Sequence, residues 1–88
     1  MQIKKVSYSK TFIKDLKKVP THVQKIAAQK EKLFKSDPQL AILRTHKLQG
    51  QLNEFYAFSV NYEYRILFIF EDDGSATFID IGTHSIYK

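Results

Sequence analysis

The sequence predicts an α+β fold: an N-terminal strand, a two-helix hairpin, then an antiparallel sheet of three further strands. Three observations lead there. Apolar residues recur at helical spacing across residues 10–36, and apolar runs of strand length fill residues 55–81. An Asp73-Gly74 dipeptide, a strong hairpin signal, separates the last two of those runs. A chain of 88 residues makes one domain, residues 1–88, with room for one modest core.

Each element has its own warrant. Val6 and Tyr8 alternate with Ser7 and Ser9, which predicts a strand over about residues 2–8. Phe12, Leu16 and Val19 fall on one helical face and predict a short helix over about residues 10–18. Pro20 interrupts that pattern and suits the first turn of a new helix. Val23, Ile26, Ala27, Leu33 and Phe34 continue at helical spacing, with Lys30 breaking the stripe as a side chain able to snorkel. The second helix should end near Ser36-Asp37-Pro38. Residues 39–54 carry no clear period, although Leu40, Leu43 and Leu48 are anchors and Gly50 marks a turn. Phe55–Val60 alternates as a strand, Asn61-Tyr62-Glu63 reads as a turn, and Tyr64–Phe70 is apolar on both faces, as a central strand should be. Ala76–Ile81 is its hairpin partner. A two-residue Asp73-Gly74 loop would set Arg65 opposite Gly82, Leu67 opposite Asp80 and Phe68 opposite Ile79. Gly82 would then leave open space beside Arg65, and His84 would share that face if the strand continued.

Composition bounds the function. With no cysteine, disulfides and thiolate zinc sites are excluded, which fits a cytosolic location. No apolar run reaches the length of a membrane span, and Met1-Gln2-Ile3-Lys4-Lys5 is not followed by the apolar segment of a signal peptide. The net charge of +5 is unevenly distributed: residues 1–47 hold twelve basic and three acidic groups, residues 48–88 two basic and six acidic. A lysine-rich half attracts polyanions by releasing their counterions; the competing reading is a solvated helix face. Lys25, Lys32 and Lys35 lie on the outward face of the second helix.

The groups able to do chemistry cluster late in the chain. Arg65 stands in a strand otherwise made of Ile, Leu and Phe, where its planar fork suits phosphate oxygens or a pair with Asp80 or Glu63. His84 and His46 have the neutral-range titration of a general acid or base; each could also be a solvated surface residue. Tyr87, three residues after His84, could donate a proton, stack on a base or pack on the sheet. His22 reads as a solvated helix residue. His46 and His84 lack local metal-ligand spacing, no Gly-rich phosphate loop is present, and Ser59 and Ser85 have no nucleophile elbow around them. Asp72-Asp73 reads as turn chemistry.

His46-Lys47-Leu48-Gln49-Gly50, Tyr64-Arg65-Ile66-Leu67-Phe68 and Asp80-Ile81-Gly82-Thr83-His84, in this order and spacing, resemble the RelE/ParE toxin superfamily, and most the RelE and YafQ-like mRNA interferases of type II toxin–antitoxin systems. The resemblance implies a cytoplasmic, ribosome-dependent endoribonuclease that cuts mRNA in the A site by metal-independent attack of the 2′-hydroxyl. It also implies a cognate antitoxin, the ribosome and mRNA as partners, and neither membrane nor small-molecule cofactor. His46 and His84 would serve proton transfer, Arg65 would stabilise the phosphate, Tyr87 would stack or assist proton transfer, and Glu63 matches an acidic position of YafQ-like members. Lys47 and the helix lysines would contact RNA. Two other functions fit this fold: a ParE-like inhibitor of DNA gyrase, and a non-catalytic nucleic-acid- or protein-binding domain.

Overall fold

A computed structural model describes residues 2–50 and 54–87, with the side chain of Tyr87 outside the described set. Its elements are β1 (Val6–Tyr8), α1 (Lys10–Leu16), α2 (Thr21–Ser36), β2 (His46–Lys47), β3 (Tyr56–Ser59), β4 (Arg65–Phe70) and β5 (Ala76–Gly82), with 3-10 turns at Ala41–Leu43 and His84–Tyr87. The sheet has five strands in the order β1-β5-β4-β3-β2. It is mixed: β1 runs parallel to β5 and the other neighbours are antiparallel. The N-terminal strand and the three later strands are present as expected, and the sheet has one strand more at its other edge. The N-terminal strand is shorter than the expected residues 2–8 and pairs over Val6–Tyr8. The added strand is the two-residue β2, too short to show any period in the sequence.

The helix pair covers one face of the sheet, and the core lies between them. Phe34 of α2 is fully buried and packs against Phe58, Phe68 and Phe78, with ring centroids 4.9, 4.8 and 5.4 Å away. Offset and edge-to-face rings at these distances add attraction to the area they bury. Ile66, Phe68 and Phe70 thus mark the helix-facing side of β4, and Arg65, Leu67 and Ile69 mark the other side. Tyr8 leaves the core edge to stack on Phe12 and donates to Glu31. Burial, then the Glu31 carboxylate, pushes its phenol up to about 12.

The β4–β5 hairpin corrects the expected register in an instructive way. Glu71 N–H donates to the Ser75 carbonyl at 2.8 Å and Gly74 N–H to the Glu71 carbonyl at 3.3 Å, enclosing a loop of three residues, Asp72-Asp73-Gly74, not two. Gly74 takes φ +88°, the left-handed position such a loop requires. The Ser75 hydroxyl and N–H both bond the Asp73 carboxylate, holding its pKa below the usual carboxylate range. Phe68 accordingly pairs with Phe78 and not with Ile79. A bulge then inserts Ile79 as an extra residue, after which Leu67 meets Asp80 and Arg65 meets Gly82 as expected.

Ser9 secures this bulge. Its hydroxyl oxygen accepts from Phe12 N–H at 3.0 Å, capping α1, while its proton goes to the Ile79 carbonyl at 2.6 Å. One side chain thus satisfies a helix-end donor and a carbonyl at the irregular point of β5. Ser9→Ala removes both bonds, and the expected loss is about 1–2 kcal/mol in urea unfolding; an unchanged midpoint would show that neither bond matters.

Candidate active site

The helix-free face of the sheet carries His46 and Arg65, two of the candidate site residues. Strand pairing sets His46, Ala57 and Leu67 in one row across β2, β3 and β4, and Ser59, Arg65 and Gly82 in the next. Ala57, Ser59 and Leu67 lie between His46 and Arg65 on this face, Ala57 and Leu67 buried and Ser59 half-buried. From strand spacing and rise, the two backbones stand roughly 12 Å apart.

Arg65 forms the centre. Its guanidinium donates to the carbonyls of Tyr62 and Glu63, both at 3.5 Å, at the turn joining β3 to β4. That turn is held by the Asn61 carboxamide oxygen, which accepts from the N–H groups of Glu63 and Tyr64 at 3.0 and 2.8 Å. The one ion pair among the described residues is Lys18–Asp15, so neither Glu63 nor Asp80 neutralises Arg65. A cavity of about 390 Å³ is lined by Tyr62, Glu63, Arg65, Thr83 and His84. It unites three of the residues selected from the sequence: Arg65, His84 and Glu63.

His84 reaches this cavity by a different route from the one expected. β5 ends at Gly82, and the chain folds into the His84–Tyr87 turn instead of continuing as a strand. The space beside Gly82 is not open: a Cβ there would come within 2.4 Å of Ile86 Cγ2. Gly82 is thus a seat for Ile86, which anchors the turn bearing His84. The Tyr87 side chain lies outside the described residues.

His46 stands across the face on exposed β2, outside the Arg65–His84 cavity. Its Nδ1 lies 3.0 Å from the Arg44 carbonyl oxygen. A carbonyl only accepts, so Nδ1 carries the proton and Nε2 of the neutral ring keeps its lone pair. Lys47 does not join His46: it points to the other face, beside Glu54, Tyr56 and Phe70. Lys25, Lys32 and Lys35 are exposed on α2, with Lys25 and Lys32 turned away from the sheet and so from Arg65. Among the described residues, no three His, Asp or Glu side chains come together as a metal site.

A second opening, of about 240 Å³, lies on the other side of Arg65. Arg44 and Lys30 line it with Arg65, Ser59 and Tyr62. Arg44 was not singled out by the sequence: it lies in the unpatterned segment and takes a left-handed φ of +50°. An exposed arginine flanking His46 was the available signal.

The fold is similar to that of solved YafQ and RelE toxin structures. Among solved structures, YafQ from E. coli strain BL21(DE3) superposes with a TM-score of 0.70 at 19% identity, covering 94% of this chain and 96% of that one. The toxin of the E. coli DinJ–YafQ toxin–antitoxin complex gives 0.75 at 20%, covering 98% and 97%. The archaeal RelE–RelB complex from Pyrococcus horikoshii gives 0.74 at 16%, covering 94% and 96%. No family model and no curated protein sequence matches the chain.

Two predictions concern the site's frame. Burial, then a hydrogen bond with Asp15, pushes the Asp80 carboxyl up to about 6. An unfolded carboxyl titrates near about 3.9. Between about pH 4 and 6 the folded chain therefore binds more protons than the unfolded one, and stability falls as pH rises through that window. Asp80→Asn should flatten this dependence and raise stability at pH 7 by about 1 kcal/mol, after discounting for solvent screening. Urea unfolding at about pH 4.5 and about pH 7 reads both; an unaltered slope would remove the Asp15–Asp80 explanation. Gly82→Ala must displace Ile86, so amide shifts confined to residues 82–87 are expected in NMR spectra, with little change in melting temperature. Shifts spread across the sheet would contradict a local seat.

Proposed function

We propose that this chain is the toxin of a type II toxin–antitoxin system, a metal-independent endoribonuclease that cuts mRNA in the ribosomal A site. The observation that carries this reading is an arginine without a carboxylate partner sharing one cavity with a histidine, opposite a second histidine with a free ring-nitrogen lone pair. The likeness in fold to YafQ and RelE supports the same reading.

The chemistry follows from where charge and protons must go. The 2′-hydroxyl of the RNA is the nucleophile, so no water has to be activated. His46 Nε2 takes its proton as the 2′-oxygen bonds to phosphorus. Negative charge gathers on the phosphate oxygens, where the Arg65 fork offsets it. The bond from phosphorus to the 5′-oxygen breaks, and protonated His84 gives that oxygen a proton. The products are a 2′,3′-cyclic phosphate and a 5′-hydroxyl. Glu63 lines the same cavity as His84 and Arg65. Tyr87, next to this cavity in sequence, would stack on a base or aid proton transfer. His46 and His84 are on opposite sides of the face, so the RNA must be laid across it in one pose. The ribosome supplies that positioning, and Lys47, Lys25, Lys32 and Lys35 contact its RNA. A cognate antitoxin restrains the toxin in the cytoplasm, as DinJ is bound to YafQ in their toxin–antitoxin complex.

Primer extension on mRNA after induction tests the reading. Codon-phased cuts are expected from the wild type, and loss by about a hundredfold or more from His84→Ala and from Arg65→Ala. Full cleavage by both variants would end the catalytic assignment. DNA breaks with intact mRNA would instead point to a gyrase inhibitor, and neither lesion to a binding domain.

A further inference from the structure

We infer that the opening on the Arg44 side of Arg65 is a subsite for one nucleotide of single-stranded RNA beside the cut, its phosphate held by Arg44, Arg65 and Lys30 and its base stacked on Tyr62. The inference rests on the RNA-cleaving reading of Arg65 and His84, because Arg65 is the wall shared by the two cavities.

Charge is the first argument. Three cationic side chains line one opening of about 240 Å³ with no carboxylate among its lining residues, and the ion pair at Lys18–Asp15 is elsewhere. Like charges gathered without a counter-charge repel one another, and an anion relieves that repulsion. Two guanidinium forks and an ammonium suit phosphate oxygens.

Tyr62 is the second. Its side chain is 97% exposed at the tip of the β3–β4 turn, where it borders both openings. The ring buries almost nothing in the folded chain, so it contributes almost nothing to the core. Its backbone is nevertheless fixed by the Asn61 bonds to Glu63 and Tyr64. A hydrogen-bonded turn presenting a bare ring beside arginines is what a single-stranded base needs for stacking.

Backbone conformation is the third. Arg44 holds a left-handed φ of +50°, which glycine or asparagine adopts at less cost. Stability alone does not explain arginine there. Lys30, likewise, interrupts the apolar stripe of α2 where it reaches the same opening.

Fluorescence anisotropy of the full chain with a short unstructured RNA, from about 50 to about 200 mM salt, tests the subsite. Arg44→Gly should weaken binding about fivefold, lower the salt slope by about 0.7, and leave the melting temperature unchanged. Arg44→Lys should restore the slope. Tyr62→Ala should weaken binding about tenfold without altering the slope, and Tyr62→Phe should bind normally. Wild-type binding by either Arg44→Gly or Tyr62→Ala, or no RNA binding by the wild type, overturns the subsite. An equal effect of Tyr62→Ala on a closed RNA hairpin overturns the assignment to a single strand. Cleavage is read separately: RNA binding that depends on Arg44 and Tyr62, with mRNA left uncut on ribosomes, keeps the subsite and removes the nuclease.

Discussion

The geometry of the site depends on the bulge at Ile79. Without it, the three-residue loop at Asp72–Gly74 would carry its register down the whole hairpin, and Arg65 would face Ile81 instead of Gly82. A side chain with a branched carbon would then occupy the seat of Ile86, and the turn bearing His84 would have no place to dock. The irregular point of β5 is held from outside the sheet, by the Ser9 hydroxyl at the start of α1. A helix cap at one end of the chain and the Arg65–Gly82 register at the other are therefore one hydrogen-bonded unit.

Regular packing explains why the frame was legible in the sequence. Phe34, Phe58, Phe68 and Phe78 recur at helical or strand periods because each must reach the same buried volume, and a period is what burial on one face imposes. Asn61 and Gly74 announce turns because each supplies a specific bond or a specific φ. The Arg65–Gly82 pairing was also anticipated, but through two departures that cancel: a loop one residue longer than a two-residue hairpin, and a bulge that restores the count.

What escaped the sequence has no period and no special residue type. β2 is two residues long, so its pairing with β3 comes from tertiary contact and not from alternation. Arg44 sits in a left-handed conformation that nothing in its neighbours encodes. The descent of residues 84–87 onto Gly82 reads in sequence as a continuing strand, because only the docking of Ile86 distinguishes the two. The Arg65–Gly82 pairing could be read from strand register, whereas Glu63 entered through the family resemblance and His84 reaches the cavity from a turn; alternation sends Lys47 to the face opposite His46.

Arg44 joins the two halves of the open face. Its carbonyl accepts from His46 Nδ1 and so decides which ring nitrogen keeps a lone pair; its guanidinium faces Arg65 across the second opening. Both effects follow from one backbone angle. A relaxed conformation at residue 44 would turn the carbonyl away from His46 and the side chain away from Arg65 together. Conformational strain at a non-glycine residue persists only where surrounding structure enforces it, and here the Arg44 N–H bond to the Ala41 carbonyl at 3.1 Å closes the preceding turn. The chain accepts strain at Arg44, unneutralised charge at Arg65 and a bare ring at Tyr62 within one small region of its surface. Each is unfavourable for the free protein, and the single-stranded RNA proposed as ligand would offset all three.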